Sequence, residues 1–339
     1  MTMPWESGNL LVTILFGLVG LAILVLSSNE AVKRLIRLAE YFNLSTTFMG
    51  MTIVSVATSI PEITSHITAS VNILLDKMDP KVAAGLVLGA NIGSDVVQQT
   101  FILGLVVFLS GGLYFRRYFL WKSMIPMIGT TVMCIILGLD RTYSRLDGLI
   151  LFGTFIAYLY YLYTDERKHY KKEEQPPVED ACSSPQEALK DALVALAMMG
   201  FTILSAQIVL GIGERIVAVT GIGGSLIGVL TLGVASALPE FTTAMAGVRN
   251  KDHGIPLGTL VGSNITNPLV AIGGGALIST YWVPGPLINW DLPWETLTGA
   301  ALWIILWFTK GRMGKSGALA LMGMYFAYII LRTLFFAVD

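Results

Sequence analysis

The sequence predicts an all-α polytopic membrane protein whose ten transmembrane helices form two inverted five-helix repeats. Three observations carry this expectation. The 339 residues are 54% apolar and only 13% charged, with a mean hydropathy of +0.69, a balance that suits lipid as the solvent rather than water. The apolar stretches run for roughly 20 residues each, the length of a bilayer-crossing helix, whereas a membrane β-barrel shows shorter alternating segments. Each half of the chain also carries an acidic residue directly after a proline inside an apolar run, at Pro61-Glu62 and at Pro239-Glu240.

Hydrophobic runs set against charged punctuation place the spans at 8–28, 46–74, 82–110, 119–138, 146–164, 188–212, 221–248, 255–280, 294–311 and 317–336. The opening MTMPWESGNL puts no positive charge ahead of the apolar run 10–26, so that run reads as a retained first span and not as a cleaved signal. Lys and Arg sort unevenly among the loops. The odd-numbered loops hold Lys33, Arg34, Arg37, Arg116, Arg117, Lys122, Arg167, Lys168, Lys171, Lys172, Arg249, Lys251, Lys310, Arg312 and Lys315. The even-numbered loops hold only Lys77, Lys81, Arg141, Arg145 and Arg215. Cytoplasmic loops collect positive charge, which puts the odd loops inside and both termini outside. Trp5, Trp121 and Trp282, near span ends, fit an interfacial aromatic belt.

The stretch 164–191 mixes both charge signs with Pro and Ser, lacks apolar periodicity and reads as a cytoplasmic linker. The expected division is a first five-helix repeat over 1–163, a polar linker over 164–187 and a second, inverted repeat over 188–339. A formal charge of −1 without long basic tracts gives no reason to expect nucleic acid as a partner, and two cysteines, Cys134 and Cys182, cannot build a disulfide framework. The lipid bilayer is the expected surrounding, and no oligomeric state is implied.

The repeat is legible in two places. MTIVSVATSIPEITSHITAS, from Met51, matches LTLGVASALPEFTTAMAGVR, from Leu230, through the core Ala-(Thr/Ser)-x-x-Pro-Glu, which superposes Glu62 on Glu240. Further along, LVLGANIGSDVVQQ from Leu86 matches GTLVGSNITNP from Gly258 through Gly-x-x-x-Gly-Ser, pairing Ser94 with Ser263 and Gln98 with Asn267. An odd number of helices per half turns the second repeat upside down relative to the first. That is the plan of secondary transporters whose site lies at the midplane between the halves.

A carboxylate near the bilayer centre is costly, so Glu62 and Glu240 should face the bundle interior and have a partner or a role. Pro61 and Pro239 remove a backbone donor and clash with the carbonyl four residues earlier, at Ala57 and Ala235, freeing carbonyls for a ligand. Thr58 and Ser59 precede Glu62 by four and three residues and Ser236 precedes Glu240 by four, which on a regular helix puts their oxygens on the carboxylate's face. Ser94 with Gln98, and Ser263 with Asn267, are likewise four apart. Two carboxylates with hydroxyl, amide and carbonyl oxygens suit a hard cation such as Ca²⁺ better than zinc or copper, and their two charges balance one divalent ion. The Gly89/Gly93 and Gly258/Gly262 pairs read as close helix packing, and His66 as a packing or interfacial residue. Asp95, whose counterpart is Asn264, either carries a coupling proton or gating role or pairs with a polar neighbour. No paired-Asp motif, Ser/His dyad or His-rich motif accompanies the polar spans, so no enzyme activity and no cofactor are expected.

Ala57-Thr58-Ser59-Ile60-Pro61-Glu62 and Ala235-Ser236-Ala237-Leu238-Pro239-Glu240, with Gly93-Ser94-Asp95 and Gly262-Ser263-Asn264, resemble the calcium/cation antiporter superfamily. Its sodium/calcium exchanger members carry two inverted repeats with Gly-Thr-Ser-(Leu)-Pro-Glu and a downstream Gly-Ser-Asn pattern. The resemblance extends over both halves. It implies ten helices with an ion cluster on the second, third, seventh and eighth, in which Glu62 and Glu240 bind Ca²⁺ and alternately the counter-ion. Thr58 and Ser236 would give mainly backbone oxygens, while Ser59, Ser94, Gln98, Ser263 and Asn267 would line the sites. The chain departs from the pattern at Ala237, where the family has a serine, at Gln98, where Asn is common, and at Asn267, where some members have Asp; these bear on the sodium stoichiometry. The proton-coupled branch has Gly-Asn-x-x-Glu instead. The expectation is therefore Ca²⁺/Na⁺ antiport by alternating access in a prokaryotic plasma membrane, with Ca²⁺/H⁺ antiport and a cation channel as alternatives.

Overall fold

The computed structural model describes residues 10–41, 52, 55–115, 117–169, 184–249 and 254–339. Trp5, Arg116, Lys171, Lys172, Cys182, Lys251 and most of 46–54 in the second expected span lie outside the described residues. The chain is helical almost throughout. Helix α1 (Leu10–Tyr41) is followed by the short α2 (Ser55–Thr58) and α3 (Ile60–Leu74), then by α4 (Pro80–Ser110), which passes through a π-helical turn at Gln98–Ile102. After strand β1 (Leu113–Tyr114) come α5 (Leu120–Leu137), β2 (Thr142–Tyr143), α6 (Arg145–His169) and α7 (Pro185–Thr220). Helix α8 starts at Gly224–Gly228 and runs through a π-helical turn, Val229–Gly233, into Val234–Ser236; α9 (Leu238–Arg249) follows at once. Helix α10 (Gly254–Thr266) continues through a π-helical turn, Asn267–Ile272, into Gly273–Ile278. Strand β3 (Tyr281–Trp282), helix α11 (Leu292–Phe308), strand β4 (Arg312–Met313) and helix α12 (Lys315–Phe335) complete the chain.

Seven helical segments among the described residues are long and apolar enough to cross a bilayer: 11–31 of α1, α4, α5, 145–164 of α6, α7, the α8–α9 pair over 224–245, and α12. The expected spans beginning at 46, 255 and 294 are not among these. Polarity is arranged as a lipid solvent demands. Leu11, Leu15 and Leu18 of α1, Phe201 and Leu204 of α7 and Phe326 and Ile330 of α12 point outward, whereas serines, threonines and carboxylates fill the interior. Helix α4 is the axis of the bundle, with 78% of its span buried against 22% for α6 and for α12.

Helix α7 begins ahead of the expected sixth span at 188. Ser184 accepts the Glu187 N–H at 3.3 Å, and Pro185 takes the first turn, where its missing donor costs nothing, so α7 starts inside the expected linker. Asp191 is buried there because Arg34 and Arg37 of α1 reach it at 2.9 and 3.1 Å. Charge density hid the helical start. At the other end, α6 carries on to His169.

Two short antiparallel ladders tie connections from distant parts of the chain. Strand β1, after α4, pairs with β4, after α11, with Leu113 opposite Met313. Strand β2, after α5, pairs with β3, after α10, with Tyr143 opposite Tyr281.

The contact of α4 with α8 is made by glycines. A Cβ on Gly89 would stand 2.1 Å from the Ser225 carbonyl oxygen, and one on Gly228 would stand 2.2 Å from that of Leu86. Gly93 meets the Val229 backbone in the same way, at 2.7 Å. The first small-residue pair in the sequence is thus a packing device that lets two backbones touch. Gly228→Ala should force these helices apart and cost about 1–3 kcal/mol, read as a lower melting temperature in detergent. Gly129→Ala, which meets nothing within 4 Å, is the control and should leave the melt unchanged or raise it. Equal melts for the two variants would refute the close α4–α8 contact.

Candidate cation site

Both proline-glutamate motifs break their helices at the same place. Ser59, between α2 and α3, has φ −80° and ψ 8°, and Ala237, between α8 and α9, has φ −78° and ψ −5°. Each break falls two residues before the proline. Because Pro61 and Pro239 have no N–H, the carbonyls of Ala57 and Ala235 lose the donor that a continuous helix would supply.

The breaks bring Glu62 and Glu240 into the interior, 3% and 0% exposed, where they are close enough to repel each other. Ser94 of α4 donates to Glu62 Oε1 at 2.8 Å, and Gln98 Nε2, one turn on, donates to Ser94 Oγ at 2.9 Å. Across the site, Ser263 of α10 donates to Glu240 Oε1 at 3.4 Å and lies 3.2 Å from the Thr58 hydroxyl. The expected pairing of Ser94 and Gln98 along one helix face is therefore found. The expected pairing of Thr58 with Glu62 and of Ser236 with Glu240 is not: Thr58 donates to the Ser55 carbonyl at 3.3 Å and Ser236 to the Gly233 carbonyl at 3.4 Å, and each lies toward the opposite carboxylate, Thr58 toward Glu240 and Ser236 toward Glu62. The cause is the break. The four-residue rule assumes an unbroken helix, and the irregular residue at Ser59 or Ala237 turns the preceding hydroxyl toward the opposite carboxylate.

Asn267 shares no hydrogen bond with Ser263. Its Nδ2 donates to Asp95 Oδ1 at 2.6 Å, and Asn264 Nδ2 donates to Gln98 Oε1 at 3.1 Å. Asp95 thus pairs with a polar neighbour, and that neighbour is a predicted site residue. These bonds use donors and leave acceptors over. Glu62 Oε2, Glu240 Oε2, Ser59 Oγ and Asn267 Oδ1 are buried without a hydrogen-bond partner, as are the side-chain oxygens of Asn91 and Asn264. Orphaned oxygens at this density are costly, and a cation is one ligand that meets several oxygen acceptors at once. Among the described residues no group of three or more His, Cys, Asp or Glu side chains is placed to hold a metal; the oxygens around Glu62 and Glu240 are neutral ones from serine, threonine and amide side chains.

Several polar groups escaped the sequence reading. Asn91 Nδ2 donates to the Asn267 carbonyl at 3.3 Å, which ties α4 to the π-helical turn of α10, and Ser55 lies 3.1 Å from the Thr266 hydroxyl, which ties the broken α2 to α10. Asp291, in the turn before α11, and Glu295, on α11, are buried, and neither stands in a duplicated motif. His66 is a packing residue: Tyr281 donates to its carbonyl at 2.9 Å and its Nδ1 lies 3.3 Å from the Tyr281 hydroxyl. Trp121 is half exposed and packs edge-on against Trp303 and Trp307.

A family model described as sodium/calcium exchanger protein matches residues 12–164 and 191–334. The sodium/calcium exchanger MaX1 of Methanosarcina acetivorans is 24% identical, over 94% of this chain and 98% of its own length. The inner membrane protein YrbG of Escherichia coli is 25% identical over 92% of this chain and 94% of its own. Among solved structures, the sodium-calcium exchanger NCX_Mj soaked with Na⁺ and Sr²⁺ shares the fold at a TM-score of 0.63 and 21% identity, covering 95% of this chain and 99% of that one.

Asn267→Asp should set a second carboxylate against Asp95 and lower the melting temperature. Adding Asp95→Asn, which restores a donor facing an acceptor, should recover most of the loss; additive losses in the double variant would contradict the pairing. The coupling is expected at about 1–3 kcal/mol.

Proposed function

The chain belongs to the sodium/calcium exchanger protein family, and on that premise we propose that this membrane cation antiporter exchanges Ca²⁺ for Na⁺ by alternating access, with Glu62 and Glu240 as shared ligands. The observation that carries the reading is the set of buried, unpartnered oxygens gathered around two carboxylates. Ca²⁺ takes about 6–8 oxygens. Glu62, Glu240, Ser59 and Asn267 each offer one that nothing else uses. The Ala57 carbonyl, beside Thr58, loses its helical donor to Pro61 and supplies another; that of Ala235 accepts a backbone N–H at the break. Ser94, Ser263 and Gln98 steady the carboxylates through the bonds described above. With Ca²⁺ bound, the two negative charges are neutralised; with the site empty, they repel in a medium of low dielectric. An empty site therefore resists the conformational step, and Na⁺ ions entering after Ca²⁺ has left lift that resistance. This makes one ion's departure the condition for the other's entry.

The ladder pattern supports ten helices in two inverted repeats. On a ten-span numbering β1–β4 joins loops three and nine, while β2–β3 joins loops four and eight. Odd meets odd and even meets even, as loops on one side of a membrane must, and each half lends one loop to each pair. With the basic loops inside, the first pair is cytoplasmic and both termini are external. The division into repeats over 1–163 and 188–339 around a polar linker over 164–187 goes with this reading, α7 starting slightly earlier than that division allows. A prokaryotic plasma membrane is the host, in keeping with the E. coli relative's description as an inner membrane protein.

One observation favours a second reading for the counter-ion. Ala237 is fully buried where the first repeat has Ser59, so the second repeat lacks a hydroxyl that a sodium ion would use. Proton coupling at the same carboxylates needs no such oxygen. The discriminating measurement is ⁴⁵Ca²⁺ uptake into proteoliposomes loaded with Na⁺ at symmetrical pH, against vesicles loaded with choline and given an outward proton gradient. Uptake with internal Na⁺ alone is expected; uptake with the proton gradient alone selects Ca²⁺/H⁺ exchange, and saturation-free flux needing no counter-ion indicates a channel. Glu62→Gln and Glu240→Gln should each reduce exchange to background, and wild-type flux in either variant would remove the two-glutamate site.

A further inference from the structure

Glu295 is a buried carboxyl that the proposed ion site does not use, 3% exposed, and among the described residues no cationic side chain pairs with it. The contrast with Asp291, one turn earlier, is informative. Asp291 has the Arg332 Nε at 2.9 Å from both its oxygens and the Tyr328 hydroxyl donating at 2.7 Å, so its charge is met in full. Glu295 has the Thr131 hydroxyl, 2.7 Å from Oε1, and that hydroxyl also stands 3.3 Å from the Met127 carbonyl. The Met127 carbonyl already accepts the Thr130 hydroxyl at 2.7 Å, so the Thr131 hydroxyl belongs to Glu295. A buried carboxyl with one hydroxyl neighbour and no cation is cheapest as the neutral acid, whose own O–H can donate to Thr131 Oγ1. The ionisable groups nearest Glu295 are Asp95 from α4, Cys134 and Tyr143 from α5 and the loop after it, and Asp291 in the turn ahead of its own helix. None of them is a cation.

A route from Glu295 to the ion site is also present. Gln99 Nε2 donates to the Glu295 carbonyl at 2.9 Å and to the Thr298 hydroxyl at 2.8 Å, which ties this part of α11 to the π-helical turn beginning at Gln98. Resting on the antiport reading above, we propose that Glu295 is a separate proton-binding site of this exchanger, holding a neutral carboxyl against Thr131, and that release of its proton slows transport. Losing the proton to solvent leaves a charge beside Asp95 and disturbs the turn that carries Gln98. Glu62 and Glu240 take ions in turn, whereas Glu295 sets how readily the surrounding helices move.

The test uses Glu295→Gln, whose amide can donate to Thr131 as the neutral acid does, in purified protein and in proteoliposomes. Infrared difference spectra at neutral pH, wild type minus variant, should contain the carbonyl stretch of a neutral carboxyl. In Thr131→Val that band should remain and move to higher frequency, because its hydrogen bond is gone. Sodium-driven ⁴⁵Ca²⁺ uptake should decline on the alkaline side in wild type and stay level in Glu295→Gln, the two agreeing on the acid side. A carboxylate band in place of the neutral one, or an alkaline decline that the variant keeps, overturns the proposal. If wild type shows no uptake at any pH, the antiport reading fails while the infrared band still decides the state of Glu295.

Discussion

The structure is governed by the cost of placing two carboxylates side by side where water cannot reach them. A charge at the centre of a membrane protein is tolerated only if it is paired, protonated or bound to an ion. Glu62 and Glu240 have hydroxyl donors on one oxygen each and nothing on the other. The rest of the interior is shaped to that need. The helices that carry the carboxylates are broken two residues ahead of each proline. The helices opposite, α4 and α10, present serine and amide side chains where an ordinary apolar core would present leucine.

Such a polar interior must be enclosed by close packing, because α4 gains nothing from hydrophobic burial against neighbours that lipid tails could replace. Van der Waals contact between backbones takes over that task. Gly89, Gly93 and Gly228 let α4 and α8 meet without intervening side chains, and this fixes the height of Ser94 on α4 relative to Ser236 on α8. The π-helical turns at Gln98–Ile102, Val229–Gly233 and Asn267–Ile272 all lie within or next to the site, as such widened turns often do. Each re-aims the residues at its start, which include Gln98 and Asn267.

The duplicated motif and its proline made the two glutamates legible in the sequence, and composition alone revealed the lipid solvent. Helix-face geometry worked where the helix is continuous, as with Ser94 and Gln98, and failed where it is broken, as with Thr58 and Ser236. Asp95 was visible as an anomaly, but its bond to Asn267 depends on how α4 and α10 cross, which spacing within one helix does not encode. Glu295 and Asp291 were passed over because each occurs once, without a counterpart in the other half. At the start of α7 one charge that looks solvated in the sequence, Asp191, is buried and paired with Arg34 and Arg37 of α1.

The failed part of the reading is the part that matters for mechanism. Were Thr58 to serve Glu62 and Ser236 to serve Glu240, each half of the molecule would hold a self-sufficient binding site, and the two could bind independently. Instead Ser94 supports Glu62 from its own half while Ser236 approaches it from the other, and Ser263 and Thr58 do the same for Glu240. Under the proposed antiport, neither half would complete a site: an ion between the carboxylates would be held by the contact between the halves, and sliding one half on the other would change the surroundings of both glutamates together. A shared site of that kind would couple occupancy to motion. The break at Ser59 and its twin at Ala237, each a single irregular residue, are what create that dependence.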